Sequence, residues 1–276
     1  MTSVTYDLLD ESFFTKSSYV YHLHIVFADD ACSYLIYDEE QLLAYRSYDL
    51  GQQNRALFSW KDELQTLMHQ DKMLQLVFKS VKIFLLHSQF TFVPNELFEV
   101  QNTTSYLSKI APNVESDLVN VESLLNGSLK NIFSLKIDLH QFAKKQYENV
   151  LFSHSLSFLI ENFKKDAKND TKLYLNFHQK QIQIVFFKEG NFHFANNFTF
   201  QTSADIAYYM MLVINQFQLN PELVQIVLSG HIEKNTEAYN TIIKYVRNIS
   251  FLDYSVKKAK HRIFQEVPNH LFVNIL

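Results

Sequence analysis

The hydrophobic positions in the early part of the chain recur about 150 residues later, although few of the residues are identical. Apolar side chains at positions 25, 27, 32, 34, 36 and 37 have apolar counterparts at 175, 177, 182, 184, 186 and 187. A third segment, from Leu42 to Leu50, matches the segment from Phe192 to Phe200 in the same way. Both copies alternate with the period of β-strands. The pattern predicts the same three strands twice, as an internal duplication.

An amphipathic helix follows each three-strand block. One helical face of the first copy carries Leu57, Trp60, Leu64, Leu67 and Met68, and that of the second carries Ile206, Met210, Val213, Ile214 and Phe217. Thr202 or Ser203 is the expected N-cap of the second helix, because a short hydroxyl side chain can accept from the first free amides.

A further strand, a helix and a last strand complete each predicted unit. The strand at Val81–Leu86 aligns with Val224–Leu228 at an offset of 143. Helices are expected near Val114–Leu125 and Glu233–Val246, and closing strands at Ile132–Ile137 and Ile249–Tyr254. The predicted order is therefore β-β-β-α-β-α-β, twice, with a mixed sheet flanked by helices in each lobe.

The predicted domain organisation has two lobes and a connecting helix. Residues 1–138 form the first lobe, and residues 169–276 form the second lobe with a C-terminal tail. Between them, a stripe at helical spacing predicts one long helix over 139–168, in the seam between the lobes. That stripe is formed by Leu139, Phe142, Ala143, Tyr147, Val150, Leu151, His154 and Phe158.

Charge and cysteine content narrow the classes of function. The net charge is −4, so the chain has no general attraction for nucleic acid, and the basic stretches Lys164–Lys168 and Lys257–Arg262 are interpreted as solvated surface. Cys32 is the single cysteine, which excludes an internal disulfide. No basic leader or apolar run of about 20 residues is present. We therefore expect a cytoplasmic protein without membrane insertion.

The duplicated order of elements resembles the actin-like ATPase fold, which is related to ribonuclease H. Within that superfamily the chain resembles an uncharacterised bacterial family, DUF3822, over nearly its whole length. The segments that carry this resemblance are Leu9–Phe13, His22–Ile25 and Phe90–Phe98. The resemblance implies a fold and no established activity.

The resemblance also implies where a nucleotide would bind. Active members of the superfamily have an Asp-x-Gly turn after the first strand of each half, where glycine lets backbone N–H groups approach phosphate. Here the first turn contains Asp29 and Asp30 but no glycine. The second turn is Phe177–Gln181, which has neither an aspartate nor a glycine. The simpler interpretation of the two aspartates is a solvated turn.

Candidates for an inter-lobe cleft are therefore Asp29, Asp30, His178, Ser229 and Gly230. Gly230 resembles the adenosine-side turn of the superfamily, where a residue without a side chain admits the base. A turn that simply needs a positive φ explains this glycine more economically, and we favour that explanation.

Other chemistries have less support in the sequence. His22 and His24 lie two apart on a predicted strand, and with His178 or Asp29 they would provide three zinc ligands. No paired metal-binding motif accompanies them, so hydrogen-bonded histidines are the favoured interpretation. Cys32 falls within a strand, and no nucleophile elbow surrounds Ser229 and His231.

These observations favour a non-enzymatic pseudo-ATPase of the actin-like fold that binds or scaffolds another protein, with no cofactor. The alternative is a divergent ATPase or small-molecule kinase that uses Asp29 and Asp30 with Mg²⁺. The partner, the oligomeric state and the role of the apolar segment at 273–276 stay open.

Overall fold

A computed structural model of the chain describes residues 3–51, 59–111, 117–253, 264 and 267–274. The chain forms two compact units. The main part of the first is Met1–Ser157, and the second comprises Phe158–Val256 and Val267–Asn274. Within the described ranges, no helix is long and apolar enough to cross a membrane.

The first unit is built around a six-stranded mixed sheet. Its strands are β1 (Ser3–Leu9), β2 (His22–Ala28), β3 (Ala31–Tyr37), β4 (Leu42–Asp49), β5 (Ser80–Leu86) and β9 (Val150–His154). They lie in the order β1-β4-β3-β2-β5-β9, with β2, β5 and β9 parallel. Helix α1 (Trp60–Gln70) links β4 to β5 and begins at Ser59, whose hydroxyl accepts from the Asp62 amide.

The second unit contains a five-stranded mixed sheet of the same plan. Its elements are β10 (Lys172–His178), β11 (Gln181–Lys188), β12 (Asn191–Thr199), α5 (Ser203–Gln216), β13 (Gln225–Gly230), α6 (Glu237–Ile242) and β14 (Asn248–Phe251). The order is β12-β11-β10-β13-β14, which corresponds to β4-β3-β2-β5-β9. Of the two predicted N-caps of α5, Thr202 or Ser203, the structure has Thr202, which forms a capping box with Asp205.

The two sheets agree residue by residue. Ile25 faces Tyr34 in the first sheet, and Leu175 faces Ile184 in the second. A β-bulge falls between Ile36 and Tyr37 and again at the equivalent residues, Phe186 and Phe187. For the fourth strand the register corrects the expected alignment, because Val81 corresponds to Ile226 rather than to Val224.

The core of the second unit lies between one face of its sheet and the helices. Side chains from alternate strand positions pack there against α5 and α6; they include Leu173, Leu175, Phe177, Ile184, Ile226 and Leu228. The period-2 alternation explains this arrangement, because it directs one set of side chains to a single face of the sheet. The sequence therefore identified this core face correctly.

A three-stranded antiparallel sheet is inserted in the first unit between β5 and the helix that begins at Ile137. It consists of β6 (Phe90–Pro94), β7 (Leu118–Leu124) and β8 (Leu129–Leu135), in the order β6-β8-β7. Helix α2 (Thr103–Ser108) packs against it. The predicted helix near Val114–Leu125 is wrong, since Leu118–Leu124 form a strand and residues 112–116 lie outside the described ranges. The closing strand predicted at Ile132–Ile137 is correct only in part: it overlaps β8 of this three-stranded sheet, and Ile137 begins a helix.

The single helix expected over residues 139–168 is also wrong. The segment contains α3 (Ile137–Gln146), the edge strand β9 and α4 (Ser155–Ala167). Pairing explains the difference, because β9 extends the sheet by bonding in parallel to β5, with Phe152 beside Ile83. The apolar stripe therefore combined side chains from three elements. The boundary between the two compact units lies inside α4, after Ser157.

Candidate functional site

The turn that contains Asp29 and Asp30 is a tight hairpin between β2 and β3. Ala28 and Ala31 on either side of it are fully buried, whereas the two aspartates are half-buried. The carbonyl of Asp30 accepts a hydrogen bond from the Leu50 amide at 2.9 Å. This turn therefore has two residues, and a hydrogen bond from the residue that follows β4 holds it in place.

The equivalent turn of the second unit has the same construction. Gln179 and Lys180 join β10 to β11, and the Lys180 carbonyl accepts from the Phe200 amide at 2.9 Å. Gln179 has a φ of +49°, in the left-handed region that glycine adopts most easily. The structure thus provides the conformation for a glycine at this turn, but the residue carries a full side chain.

A cavity of about 360 Å³ adjoins the first turn, within the first unit. Its lining includes Asp29, Trp60, His87, Gln89, Ser134 and Asp138, and Ser59, Ser88 and Lys136 complete it. Most of these residues follow the carboxyl ends of β2 and β5 or begin α1 and α3, and Ser134 lies on β8. Ligands of α/β proteins bind at this end of parallel strands. Asp30 is not among the lining residues.

His178, Ser229 and Gly230 lie together at the ends of β10 and β13. Gly230 pairs with Phe177 in the parallel ladder, and the His231 amide bonds to the Phe177 carbonyl at 2.9 Å. Gly230 has a φ of +75°, and a Cβ there would lie 2.0 Å from the Phe177 oxygen. Close contact between two backbones therefore accounts for this glycine without any ligand.

The His178 imidazole is fully buried and stacks on His231, with ring centroids 5.4 Å apart and an interplanar angle of 19°. Burial, followed by the neighbouring His231, lowers the pKa of His178 to about 3, and burial lowers the pKa of His231 to about 4. Neither ring nitrogen of His178 has a hydrogen-bond partner in another described residue. The end of β10 is therefore occupied by a neutral pair of rings.

Ser229 belongs to a row of polar side chains that crosses the second sheet. The register places Asn197, Gln183, Asn176 and Ser229 side by side on β12, β11, β10 and β13. The Ser229 hydroxyl donates to Asn176 Oδ1 at 2.8 Å, and Asn176 Nδ2 donates to Gln183 Oε1 at 3.1 Å. Because these three side chains are fully buried, the bonds provide partners for polar groups that water does not reach.

The histidine pair on β2 has partners of its own. Nδ1 of His22 lies 2.6 Å from the Ser80 hydroxyl, and Nε2 of His24 lies 3.0 Å from the Tyr37 hydroxyl. Among the described residues, no group of three His, Cys, Asp or Glu side chains is arranged to hold a metal ion. His178, one of the two proposed third ligands, belongs to the second unit.

A second pair of buried histidines was missed by the sequence analysis. His87 follows β5, and His154 is the last residue of β9. Their ring centroids lie 5.0 Å apart. Nε2 of His87 lies 3.1 Å from the Ser134 carbonyl, and Nδ1 accepts from the Gln89 amide at 3.0 Å. Burial lowers the pKa of His87 to about 4 and lowers that of His154 as well. Their separation in sequence gave no signal, because β9 was expected to be helix.

The basic segment Lys164–Lys168 makes local contacts at the end of α4. The Lys164 ammonium donates to the Gly190 carbonyl, and the Lys165 ammonium donates to Asn162 Oδ1 at 3.3 Å. The other basic segment, Lys257–Arg262, lies outside the described residues.

Comparison with solved structures defines the class of fold. The chain is similar to a protein of unknown function with an actin-like ATPase fold from Bacteroides thetaiotaomicron, at 24% identity and a TM-score of 0.75; the match covers 87% of this chain and 93% of that one. It is also similar to the PilM–PilN type IV pilus biogenesis complex, at 10% identity and a TM-score of 0.51, over 84% of this chain and 88% of that one. The chain therefore has a mixed α/β fold of the actin-like ATPase type.

Its family follows from a match over residues 10–249. The chain belongs to the family described as "Protein of unknown function (DUF3822)". A search among curated protein sequences finds no match. The fold and the family expected from the sequence are both confirmed.

Proposed function

We propose that this chain is a pseudo-ATPase: a protein of the actin-like fold that does not hydrolyse ATP and instead binds or scaffolds another protein. The observation that carries this proposal is the filled end of β10. There the imidazoles of His178 and His231 occupy the position beside the second hairpin turn. A triphosphate needs backbone N–H groups at close range, and side chains at that place obstruct the approach.

The two hairpin turns support the same conclusion. Both contain two residues without glycine, and in both the second carbonyl is fixed by an amide from the following segment, Leu50 or Phe200. Glycine is the residue that lets such a turn open towards phosphate. Neither turn provides it.

The exposed side of α5 supports a role in binding protein. Tyr208 and Leu212 lie one turn apart on this helix and are 63% and 43% exposed, although the opposite side of α5 is buried in the core. Neighbouring apolar side chains on a surface are a feature of protein interfaces. The similar PilM–PilN structure is a complex with a second protein, which is consistent with this role by analogy.

The alternative is a divergent ATPase or kinase that uses Asp29 and Asp30 with Mg²⁺. Asp29 favours it, because this carboxylate lines the cavity of the first unit. The two candidates differ in whether the cavity and the turns accept a nucleotide at all.

A titration with a fluorescent ATP analogue and Mg²⁺, together with an assay of phosphate release, separates them. We expect no saturable binding below millimolar concentration and no phosphate release. Micromolar binding that weakens at least tenfold in Asp29→Ala, but not in the exposed control Asp62→Ala, would overturn the proposal.

The protein-binding half is tested by isolating the tagged chain from its native host. We expect a second protein at a defined stoichiometry, lost in Tyr208→Lys and retained in Lys188→Ser, a change of another exposed residue in the same unit. A partner that stays bound to Tyr208→Lys and Leu212→Lys would refute the role assigned to α5.

A further inference from the structure

The outer edge of the second sheet lacks a strand that the first sheet has. In the first unit β4 lies between β1 and β3 and pairs antiparallel with both. Its counterpart β12 pairs with β11, and no other strand of the described residues lies beside it. The β4 segment Ala44–Asp49, which pairs with β1, corresponds to Phe194–Thr199 of β12. This segment is therefore the edge at which the second unit can accept a further antiparallel strand.

The register identifies the backbone groups that point away from β11. The Phe200 amide bonds to the Lys180 carbonyl, and hydrogen-bonded pairs alternate with the other pairs along an antiparallel ladder. The residues with outward N–H and C=O groups are therefore Ala195, Asn197 and Thr199. At the far end of this edge, the Thr199 carbonyl accepts from the Tyr209 hydroxyl at 3.3 Å. The Asn197 amide donates at 2.8 Å to the side-chain oxygen of its neighbour, Asn196, which takes the place of a strand carbonyl.

The composition of β12 does not protect this edge. Exposed edge strands are usually kept from pairing by charged residues, by proline, by bulges or by being short. Among the other edge strands, β1 contains Asp7, β6 ends at Pro94, β7 contains Glu122, and β9 and β14 have only five and four residues. Strand β12 has nine residues without a charge or a proline. Its bulge lies at His193, before the segment that corresponds to the β1-paired part of β4.

Two aromatic rings are incompletely covered at this edge. Phe194 and Phe198 are half-buried, whereas their counterparts in the first unit, Ala44 and Tyr48, are buried. The Phe198 ring stacks on Tyr209 of α5, with centroids 4.5 Å apart and an interplanar angle of 18°. A strand beside β12 would remove more of both phenylalanine rings from water, which favours association.

The sequence of this edge is symmetric about Asn196. The segment Phe194-Ala195-Asn196-Asn197-Phe198 has a phenylalanine two residues before and two residues after Asn196. Antiparallel pairing of this segment with the same segment of a second molecule sets Phe194 opposite Phe198 twice, and aromatic cross-strand pairs stabilise a sheet. It also sets Ala195 opposite Asn197 twice, so that the outward groups of these residues bond to each other. A two-fold axis gives this antiparallel arrangement, because it relates one strand to its own copy.

We propose that two copies of this chain associate through β12, paired antiparallel about Asn196, so that their five-stranded sheets join at the edges. No like charges meet across the axis, because the paired segment is uncharged. A strand of another protein would find the same backbone groups, but the symmetric spacing of the two phenylalanines favours a second copy. The association does not involve Tyr208 on α5 and does not depend on the proposed function.

Sedimentation of the full chain over a series of concentrations measures the association. We expect a dimer to be populated at a chain concentration of about 0.1 mM. Asn196→Lys places two ammonium groups opposite each other at the axis and is expected to weaken dimerisation by about tenfold or more. The control Asn191→Lys changes an exposed asparagine at the start of the same strand and is expected to leave dimerisation unchanged. A monomer at this concentration would overturn the proposal and leave the edge to a strand of another protein, and equal weakening by both variants would overturn it too.

Cysteine substitutions test the register separately from the affinity. In the proposed dimer the two copies of residue 196 form a pair without mutual hydrogen bonds, with Cα atoms about 4.5 Å apart, which is within the range of a disulfide. Asn196→Cys is expected to give a disulfide-linked dimer on mild oxidation, and Asn191→Cys is expected to remain unlinked. The native Cys32 is buried and does not interfere. Circular dichroism confirms that each variant folds, and cross-linking through Asn191→Cys in place of Asn196→Cys would refute the proposed pairing.

Discussion

One row of polar side chains crosses the sheet of the second unit, formed by Asn197, Gln183, Asn176 and Ser229. The equivalent positions in the sheet of the first unit are Ser47, Ser33, Val26 and Phe84. In the second unit Ser229, Asn176 and Gln183 form a chain of buried hydrogen bonds, whereas the first unit has Phe84, Val26 and Ser33 at these positions. On the opposite face the two sheets agree, because Leu23, Ile25 and Phe27 correspond to Leu173, Leu175 and Phe177, and all are buried.

This comparison shows which face of the sheet specifies the fold. Both copies keep the apolar face that packs in the second unit against α5 and α6, and both keep the bulge, so the common backbone accompanies these shared features. The other face differs in chemistry without a change of register. Differences of function between the units are therefore to be sought on that face and at the strand ends.

The largest effect is expected where the second unit has Gly230 and the first has Leu85 at the equivalent position. Gly230→Ala should lower the free energy of unfolding by about 4 kcal/mol or more, because its Cβ would collide with the Phe177 backbone and the residue has a positive φ. Gly127→Ala is the control: its φ is also positive, but no atom lies within 4 Å, so a loss of about 1 kcal/mol is expected. Urea denaturation measures both, and equal losses would contradict the steric explanation.

A smaller loss of stability is expected when a residue of the polar row in the second unit is replaced by its apolar counterpart from the first unit. Asn176→Val introduces the residue of the equivalent position, Val26, and leaves the Ser229 hydroxyl and the Gln183 carbonyl without this partner. We expect a loss of about 2–3 kcal/mol in the free energy of unfolding. A double-mutant cycle with Ser229→Ala should give a coupling energy of about 1 kcal/mol. Additive losses would show that the row is not a connected network.

The smallest loss of stability is expected from the pH dependence of the two buried histidine pairs, His178 with His231 and His87 with His154. His178 and His87 have folded-state pKa values of about 3 and about 4, below the unfolded value of about 6.5. The unfolded chain therefore takes up protons that the folded chain refuses, and stability falls as the pH drops below 6.5. Each histidine should contribute about 1 kcal/mol to this loss between pH 7 and 5.5.

Phenylalanine substitutions sharpen the comparison of the pairs. Both His178→Phe and His87→Phe should reduce the pH dependence of unfolding. At pH 7 only His87→Phe should be strongly destabilising, because it leaves the Ser134 carbonyl and the Gln89 amide without the imidazole. Urea denaturation at both pH values provides the measurement, and an unchanged slope in His178→Phe would contradict the buried neutral state.

The strands common to both units could be predicted because their alternation is local and repeated. The three-stranded insertion could not, since Leu118–Leu124 has no counterpart in the second unit and its apolar positions also fit a helix. Strand β9 was hidden for a related reason: its pairing partner, β5, lies far away in the sequence. The cavity combines Asp29, Trp60, His87 and Asp138, which only the tertiary fold brings together, and the sequence indicated Asp29 alone.

The insertion between β5 and β9 also affects the order in which the protein folds. Ile83 must find Phe152, 69 positions away, to close the first sheet, whereas Ile226 finds Ile249 at a separation of 23. A threefold longer loop costs about 1 kcal/mol more in chain entropy and slows closure. On refolding from denaturant, the sheet of the second unit is therefore expected to close before that of the first.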